Sequence, residues 1–268
     1  MALGINSNIA GLGAAKQAGQ AQGLLNRKLA EFSSGLRINR AADDAAGLAI
    51  AENFNTRARQ FQVESRNLQS GISAAQTAEG GLSVQQDAVQ RIRELAVQAS
   101  NGTLTNDQRS ALNAEAQQLL DQINDTAQGT EFNGQQLLNS NQSISLGTEG
   151  DNTLDLEQSD TSTLSLNGLD LSTQGGAQAA IDAADNALAQ ISEQRSNIGA
   201  QSNGFESAIA QRAESEVNAL QAESRIRDLD LAKASIERSR ADVLLKAGLS
   251  GLLQSNVAPQ SALRLLGQ

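Results

Sequence analysis

Asp43 and Asp44 stand side by side ahead of Ala45-Ala46-Gly47-Leu48, with Arg37 and Arg40 just upstream. Adjacent carboxylates beside guanidinium groups are the nearest thing in this chain to an acid/base pair, which needs titratable groups with well-separated pKa values. Their position argues for another role. Acidic side chains before a run of helix formers meet the free N–H groups and positive dipole end of a helix. The pair therefore reads as a helix N-terminus, with Arg37 and Arg40 as ion-pair partners in this chain or in a neighbouring copy. A second group, Arg91, Leu95 and Gln98, is spaced by four and three and so shares one helical stripe. That stripe is separate from the apolar line through Leu82, Val89 and Ala96, and reads either as a solvated face or as a contact surface.

Little else in the chain can do chemistry. Its 268 residues include no His, Cys, Trp or Tyr, five Phe and one Pro. Without His and Cys there are no imidazole or thiolate metal sites, no Ser-His-Asp or Cys-His nucleophiles and no histidine general base. Only a carboxylate or Lys mechanism is left, and no constellation supports one. The expectation is a protein that is not an enzyme and carries no cofactor or metal.

The net charge of −10 comes without a basic stripe, which argues against nucleic acid as a partner. No window is long and apolar enough to cross a bilayer. Amphipathic binding to a membrane surface would need Lys/Arg-rich faces with large apolar anchors, whereas these faces are rich in Gln, Asn and acids. Zero Cys means no disulfides, so durability must come from packing or from neighbouring copies. The N-terminus lacks a basic stretch followed by an apolar run, so export is expected by a route that leaves it uncleaved.

The elements that must carry these groups are mostly helical. Phe54, Phe61, Leu68, Ala75, Leu82, Val89 and Ala96 form an unbroken seven-residue repeat, with Ala78, Ile92 and Ala99 in a second stripe. That pattern predicts one long helix of coiled-coil type ending near Asn101-Gly102, roughly 65 Å over the repeat at 1.5 Å per residue. Thr105 with Gln108 predicts a capping box, followed by a helix burying Leu112, Ala116, Leu119, Ile123 and Ala127. Breaking signals then run to Asn133-Gly134. From about Ser140 to Thr173 the period becomes two, in Ile144/Leu146, Leu154/Leu156, Leu164/Leu166 and Leu169/Leu171. These pairs predict short hairpin strands forming an exposed elaboration on a helical body. Helical spacing returns in Ile181, Ala184, Leu188, Ile191, Ile198, Phe205 and Ile209, and then in Leu229, Ile236, Val243 and Val257. The N-terminal stretch has a looser version in Ile5, Ile9, Leu12, Leu25, Leu29 and Phe32. The expected fold is mainly α: a long antiparallel coiled-coil-like helical rod with a small β-hairpin region mid-sequence.

Segments at both ends of the chain resemble a known family. Phe32-Ser33-Ser34-Gly35-Leu36-Arg37-Ile38-Asn39 with Asp43-Asp44-Ala45-Ala46-Gly47-Leu48-Ala49-Ile50 is similar to the N-terminal signature of bacterial flagellins. Gln90-Arg91-Ile92-Arg93-Glu94-Leu95-Ala96-Val97-Gln98 and Thr130-Glu131-Phe132-Asn133-Gly134 resemble further flagellin segments. Ser224-Arg225-Ile226-Arg227-Asp228 and Val257-Ala258-Pro259-Gln260 through Leu265-Leu266 resemble the C-terminal signature. The likeness covers about residues 1–140 and 175–268.

The resemblance implies a subunit that polymerises with itself into the filament used for swimming, secreted through the flagellar type III apparatus. It implies an inner core from 1–40 and 224–268, a spoke domain from 41–140 and 175–223, and a hairpin region at 141–174, without a large outer domain. Inner-core assembly would then fall to Ile5, Ile9, Leu12, Leu29, Leu229, Ile236, Val243 and Val257. Arg91, Leu95, Gln98 and Glu115 match positions that pack between subunits and lie in the surface bound by the vertebrate flagellin-sensing Toll-like receptor. Further implied partners are the export chaperone, the cap and the hook-junction proteins. The zinc-protease insert of some flagellins needs His, which is absent. A hook–filament junction protein is the rival within the family; an amphipathic membrane-surface binder is the rival outside it.

Overall fold

The structure, a computed structural model, describes residues 8–147 and 152–266, with side chains described as far as residue 257. It is mainly α, as expected. The described residues form α1 (Ile9–Ser34), α2 (Ala45–Ala99), α3 (Asn106–Gly129), β1 (Glu131–Phe132), β2 (Gln135–Gln136), β3 (Gln142–Ser145), β4 (Thr153–Leu156), α4 (Gln174–Arg227) and α5 (Leu231–Leu266). The strands pair antiparallel as β1–β2 and β3–β4. The chain forms two compact units, Met1–Ala58 with Val217–Gln268, and Arg59–Glu216. Their borders fall inside α2 and α4, whereas of the borders expected from sequence, the one near 40 lies in the loop before α2 and the one near 224 in the last turn of α4.

Helix ends obey local chemistry. Asp44 accepts the Gly47 N–H at 2.8 Å and starts α2. Thr105 accepts from the Gln108 N–H at 3.3 Å while the Gln108 side chain accepts from the Thr105 N–H at 2.9 Å, which completes the expected capping box of α3. Asp230 accepts the N–H groups of Ala232 and Lys233 and starts α5, dividing a pattern that read as one run from Leu229. Gly35, at φ +72°, closes α1 in the left-handed conformation that glycine adopts without strain.

In the unit formed by Arg59–Glu216 one core is shared by α2, α3, α4 and the segment between β2 and α4. The heptad residues Leu68, Ala75, Leu82, Val89 and Ala96 are all buried, as are Ala78, Ile92 and Ala99. Gln85 fills the gap in that second stripe. Fully buried, it donates to the carbonyls of Ile123 (3.1 Å) and Ser159 (2.8 Å) and accepts from the Ser159 hydroxyl (2.7 Å). A buried amide whose bonds are all met by one geometry ties helices and loop into a single arrangement. Arg109, also buried, reaches from α3 to the carbonyls of Ala99 and Asn101, and so satisfies free acceptors at the C-terminal end of α2.

The mid-sequence region departs from expectation in two respects. Ile144/Leu146 and Leu154/Leu156 do lie in or beside the β3–β4 hairpin, but Leu164/Leu166 and Leu169/Leu171 form turns and coil, not strands. The region is also not an exposed elaboration. Leu146, Leu154, Leu156, Leu164, Leu166, Leu169 and Leu171 are buried in the common core. The period of two arises because alternate residues plug the core while those between face water. Partners on α3 hold the coil down: Asn124 accepts from the N–H and hydroxyl of Thr161, Asn113 accepts from the Leu171 N–H, and Gln117 donates to the Leu169 carbonyl. The Asn133-Gly134 break is itself the two-residue turn of β1–β2, with φ +52° and +78°.

Two glycines of α2 make room for this layer. A Cβ on Gly71 would stand 2.2 Å from Leu146, and one on Gly81 would stand 2.5 Å from the Thr130 hydroxyl. Helix propensity alone favours alanine over glycine by about 1 kcal/mol. Overpacking opposes it by about 1–3 kcal/mol. Gly71→Ala should therefore lower the unfolding midpoint followed by circular dichroism, and a raised midpoint would mean that Leu146 does not seat against α2.

Candidate assembly surface

In the unit formed by Met1–Ala58 and Val217–Gln268, α1 and α5 pack against each other antiparallel. Asn8 caps α1 by accepting from the Gly11 N–H, and its amide donates to the Ser255 carbonyl. Ala18 lies so close to Gly248 that a Cβ there would be 3.3 Å from the Ala18 Cα. Lys28 bridges Glu31 and Glu237, both at 2.8 Å, and Arg238 stacks 4.9 Å over the Phe32 ring. Beyond α1, an isolated bridge pairs Leu36 with Asp228, supported by Arg37 N–H to the Arg227 carbonyl and Leu229 N–H to the Gly35 carbonyl. Arg227 pairs with Glu52 and Glu223, joining the start of α2 to the end of α4.

Among the described residues, the buried apolar side chains of α1 and α5 are Ala18, Ala21, Ala234 and Ala241. Many of their larger aliphatics are exposed, Ile9 at 76%, Leu12 and Ile236 at 70%, Val243 at 63% and Val257 at 54%, while Leu25, Leu245 and Leu252 are half-buried. Leu29 is exposed too, and Leu229 is half-buried beside the bridge. Leu231, Leu244, Leu249 and Leu253 add to the exposed set. Single exposed aliphatics are ordinary, but rows of them along two helices that bury alanine are surface prepared for partners. Ile5 lies outside the described residues.

The carboxylates and arginines near residue 40 separate into distinct jobs. Asp44 caps α2, while Asp43 turns back to accept the N–H groups of Asn39 and Arg40. Neither forms an ion pair with Arg37 or Arg40. Arg37 donates instead to the Ile226 carbonyl. The backbone amides are nearer than the guanidinium groups, so the short aspartate side chains are used up locally.

The Arg91 stripe is brought together in part. Arg91 Nε and Nη2 both donate to one carboxylate oxygen of Glu115, at 3.0 and 2.9 Å, and Nη1 reaches Glu94 at 2.9 Å. Gln98 is exposed nearby on α2. Leu95 is 1% exposed and belongs to the core, so the reading of one solvated or contact stripe fails there. The core face of α2 is wider than one heptad line, because α3 and the coil cover a second side of it. The buried polar residues Gln85 and Arg109 were not anticipated; the polar gap between Ala78 and Ile92 was the available signal.

Among the described residues no group of acidic side chains is arranged to hold a metal, and no helix is long and apolar enough to cross a membrane. The Glu237 carboxyl is held below the ordinary glutamate value, first by the hydrogen bond from Lys28. Burial pulls Lys28 down, but the bonds to Glu237 and Glu31 outweigh it and its pKa is raised. The α1–α5 tie therefore weakens in acid as Glu237 protonates through its lowered value, and in strong base as Lys28 deprotonates through its raised one. An NMR titration should place Glu237 below free glutamate, and Lys28→Met should bring it back up; an unmoved midpoint would remove this ion pair from the account.

The chain is similar to known proteins over nearly its whole length. Residues 5–143 match the bacterial flagellin N-terminal helical region, and residues 181–266 match the C-terminal helical region. A flagellin of Halalkalibacterium halodurans is 40% identical, the match covering 98% of this chain and 99% of that protein. A flagellar filament core protein of Brachyspira hyodysenteriae is 36% identical with the same coverage of both chains. A solved structure described as a flagellar hook-associated protein from Vibrio parahaemolyticus shares the fold at TM-score 0.59, with 14% identity, covering 69% of this chain and all of that one. With both terminal regions matched and relatives collinear along nearly its whole length, the chain belongs to the bacterial flagellin family, the structural subunits of flagellar filaments.

Proposed function

We propose that this flagellin polymerises with copies of itself through the outward apolar rows of α1 and α5, forming the inner core of a swimming filament. The observation that carries the reading is that the buried apolar side chains described on those helices are alanines, while Ile9, Leu12, Ile236, Val243 and Leu253 stand mostly in water. Burying such rows between copies adds apolar contact at roughly 25 cal/mol per Å², in an open head-to-tail lattice. Inner-core segments 1–40 and 224–268, with Ile9, Leu12, Leu29, Leu229, Ile236, Val243 and Val257, are the assembly residues of this reading, with 41–140 and 175–223 as the spoke domain and 141–174 as the hairpin region. The family resemblance adds secretion through the type III route, an export chaperone, and cap and hook-junction proteins at the filament ends. The function is mechanical, and no catalytic step is assigned to any residue.

The experiment is electron microscopy of the purified chain after addition of a precipitating salt or filament seeds. Long uniform hollow filaments are expected; short stubs that bind hook ends would favour the junction-protein reading. Ile236→Asp and Val243→Asp should abolish filaments, because a charge buried without a partner costs several kcal/mol. Helicity of the free subunit should be unchanged, since both residues are exposed in it. Normal filaments from either variant would displace the assembly interface.

Arg91, Glu115 and Gln98 remain the candidates for subunit packing and for contact with the vertebrate flagellin-sensing receptor. Arg91 and Glu115 support this reading because they are exposed and mutually oriented. Arg91→Ala should reduce stimulation of receptor-bearing cells with little change in the unfolding midpoint, as exposed ion pairs contribute about 0–1 kcal/mol. Undiminished stimulation would refute it. Leu95→Ala is unsuitable for this test because it opens the core.

A further inference from the structure

Four Asn-Gly pairs occur in the chain: Asn101-Gly102, Asn133-Gly134, Asn167-Gly168 and Asn203-Gly204. Glycine leaves its own nitrogen unshielded and its backbone free, so each pair has the composition for self-inflicted loss of the asparagine amide. The fold treats the four very differently. Asn167 is exposed in a turn, Gly168 stands at φ +75°, and among the described residues neither the Asn167 side chain nor the Gly168 N–H has a hydrogen-bond partner. Asn133 is exposed at the tip of the β1–β2 hairpin. The Phe132–Gln135 pairing closes a two-residue turn, which leaves the Gly134 N–H outside the ladder. The Asn101 side-chain oxygen is engaged by both the N–H and the hydroxyl of Thr103. Asn203-Gly204 lies in the middle of α4, where the Gly204 nitrogen is bound into the helical ladder and the backbone is fixed.

We infer that Asn167 and Asn133 are sites of spontaneous deamidation, and that the fold spares Asn203. The Gly168 amide loses its proton to base and its nitrogen attacks the Asn167 side-chain carbonyl carbon. The new C–N bond closes a five-membered imide, the Cγ–Nδ2 bond breaks, and ammonia leaves with a proton from solvent. Water then adds to either imide carbonyl and opens the ring, giving aspartate or isoaspartate. The sum is one water consumed and one ammonia released, with no oxidant or enzyme. The same steps run at Asn133 with the Gly134 nitrogen.

The consequence follows from what flanks each site. Leu166 and Leu169, both buried, bracket Asn167-Gly168. An isoaspartyl link lengthens the main chain by one methylene between these two plugs and adds a negative charge to a chain already at −10. At Asn133 it disrupts a left-handed position that asparagine tolerates. The inference is independent of how copies assemble.

The test is incubation of the full chain in mildly alkaline buffer, with peptide mapping by mass spectrometry and enzymatic labelling of isoaspartate. Aspartate and isoaspartate should accumulate at Asn167 and Asn133 ahead of Asn101, and faster as pH rises, because the attacking species is the deprotonated amide. Asn203 should lag by roughly tenfold or more, since reaction there must await local opening of the helix. In urea the four sites should converge. Asn167→Gln should abolish conversion at that position and leave Asn133 unchanged. Conversion of Asn203 abreast of Asn167 in the folded chain, the same ranking in urea as in buffer, or no conversion at either proposed site would overturn the inference.

Discussion

The contact between α1 and α5 runs through Ala18, Ala21, Ala234 and Ala241, with Gly248 seated against Ala18. Small side chains let two backbones approach closely but bury little apolar area per residue. A helix pair held this way has two further resources: polar ties at its ends, and partners for whatever its large residues face. Both are present. Asn8 with Ser255 and Lys28 with Glu237 set the antiparallel register, while Ile9, Leu12, Ile236 and Val243 stay in water. The subunit thus keeps a set of large apolar side chains exposed on these two helices.

The unit formed by Arg59–Glu216 meets the same shortage of large residues differently. Its helices also present alanine, at Ala75, Ala78, Ala96, Ala99, Ala116 and Ala184. The missing volume comes from outside the helices, in the leucines of the hairpin and coil between residues 146 and 171. Gly71 and Gly81 remove side chains where that layer meets α2. Buried amides and one buried guanidinium, Gln85 and Arg109, then choose among the many ways alanine-rich helices can slide past each other. This core leaves Arg91 and Glu115 exposed and paired with each other on its surface.

A filament subunit benefits from this division. A core complete in itself can hold its shape before assembly, and under the proposed reading the exposed residues of the terminal helices supply the driving force for it. No catalytic geometry is needed. The two aspartates that most resembled one are spent on capping α2 and on bracing the turn before it.

Much of this was legible from the sequence because helical periodicity and capping are local. The heptad from Phe54 to Ala96, the Thr105–Gln108 box and the role of Asp44 follow from spacing within a few residues, and the terminal isoleucines, leucines and valines stood out by pattern and resemblance as apolar positions in search of partners. What the sequence left undecided depends on residues far apart in the chain. Period two in Leu164/Leu166 and Leu169/Leu171 specifies only that alternate side chains are buried; whether the backbone between them pairs as strands or is tied to α3 by Asn113, Gln117 and Asn124 is set by partners some 37 to 58 residues away. Leu95 likewise looked like part of a surface stripe until α3 and the coil were laid over that side of α2. Sequence determines which faces of a helix are apolar, because that is a matter of 3.6-residue geometry. Only the tertiary structure decides which of those faces the chain covers for itself and which it leaves for another copy, because covering a face needs volume delivered from elsewhere.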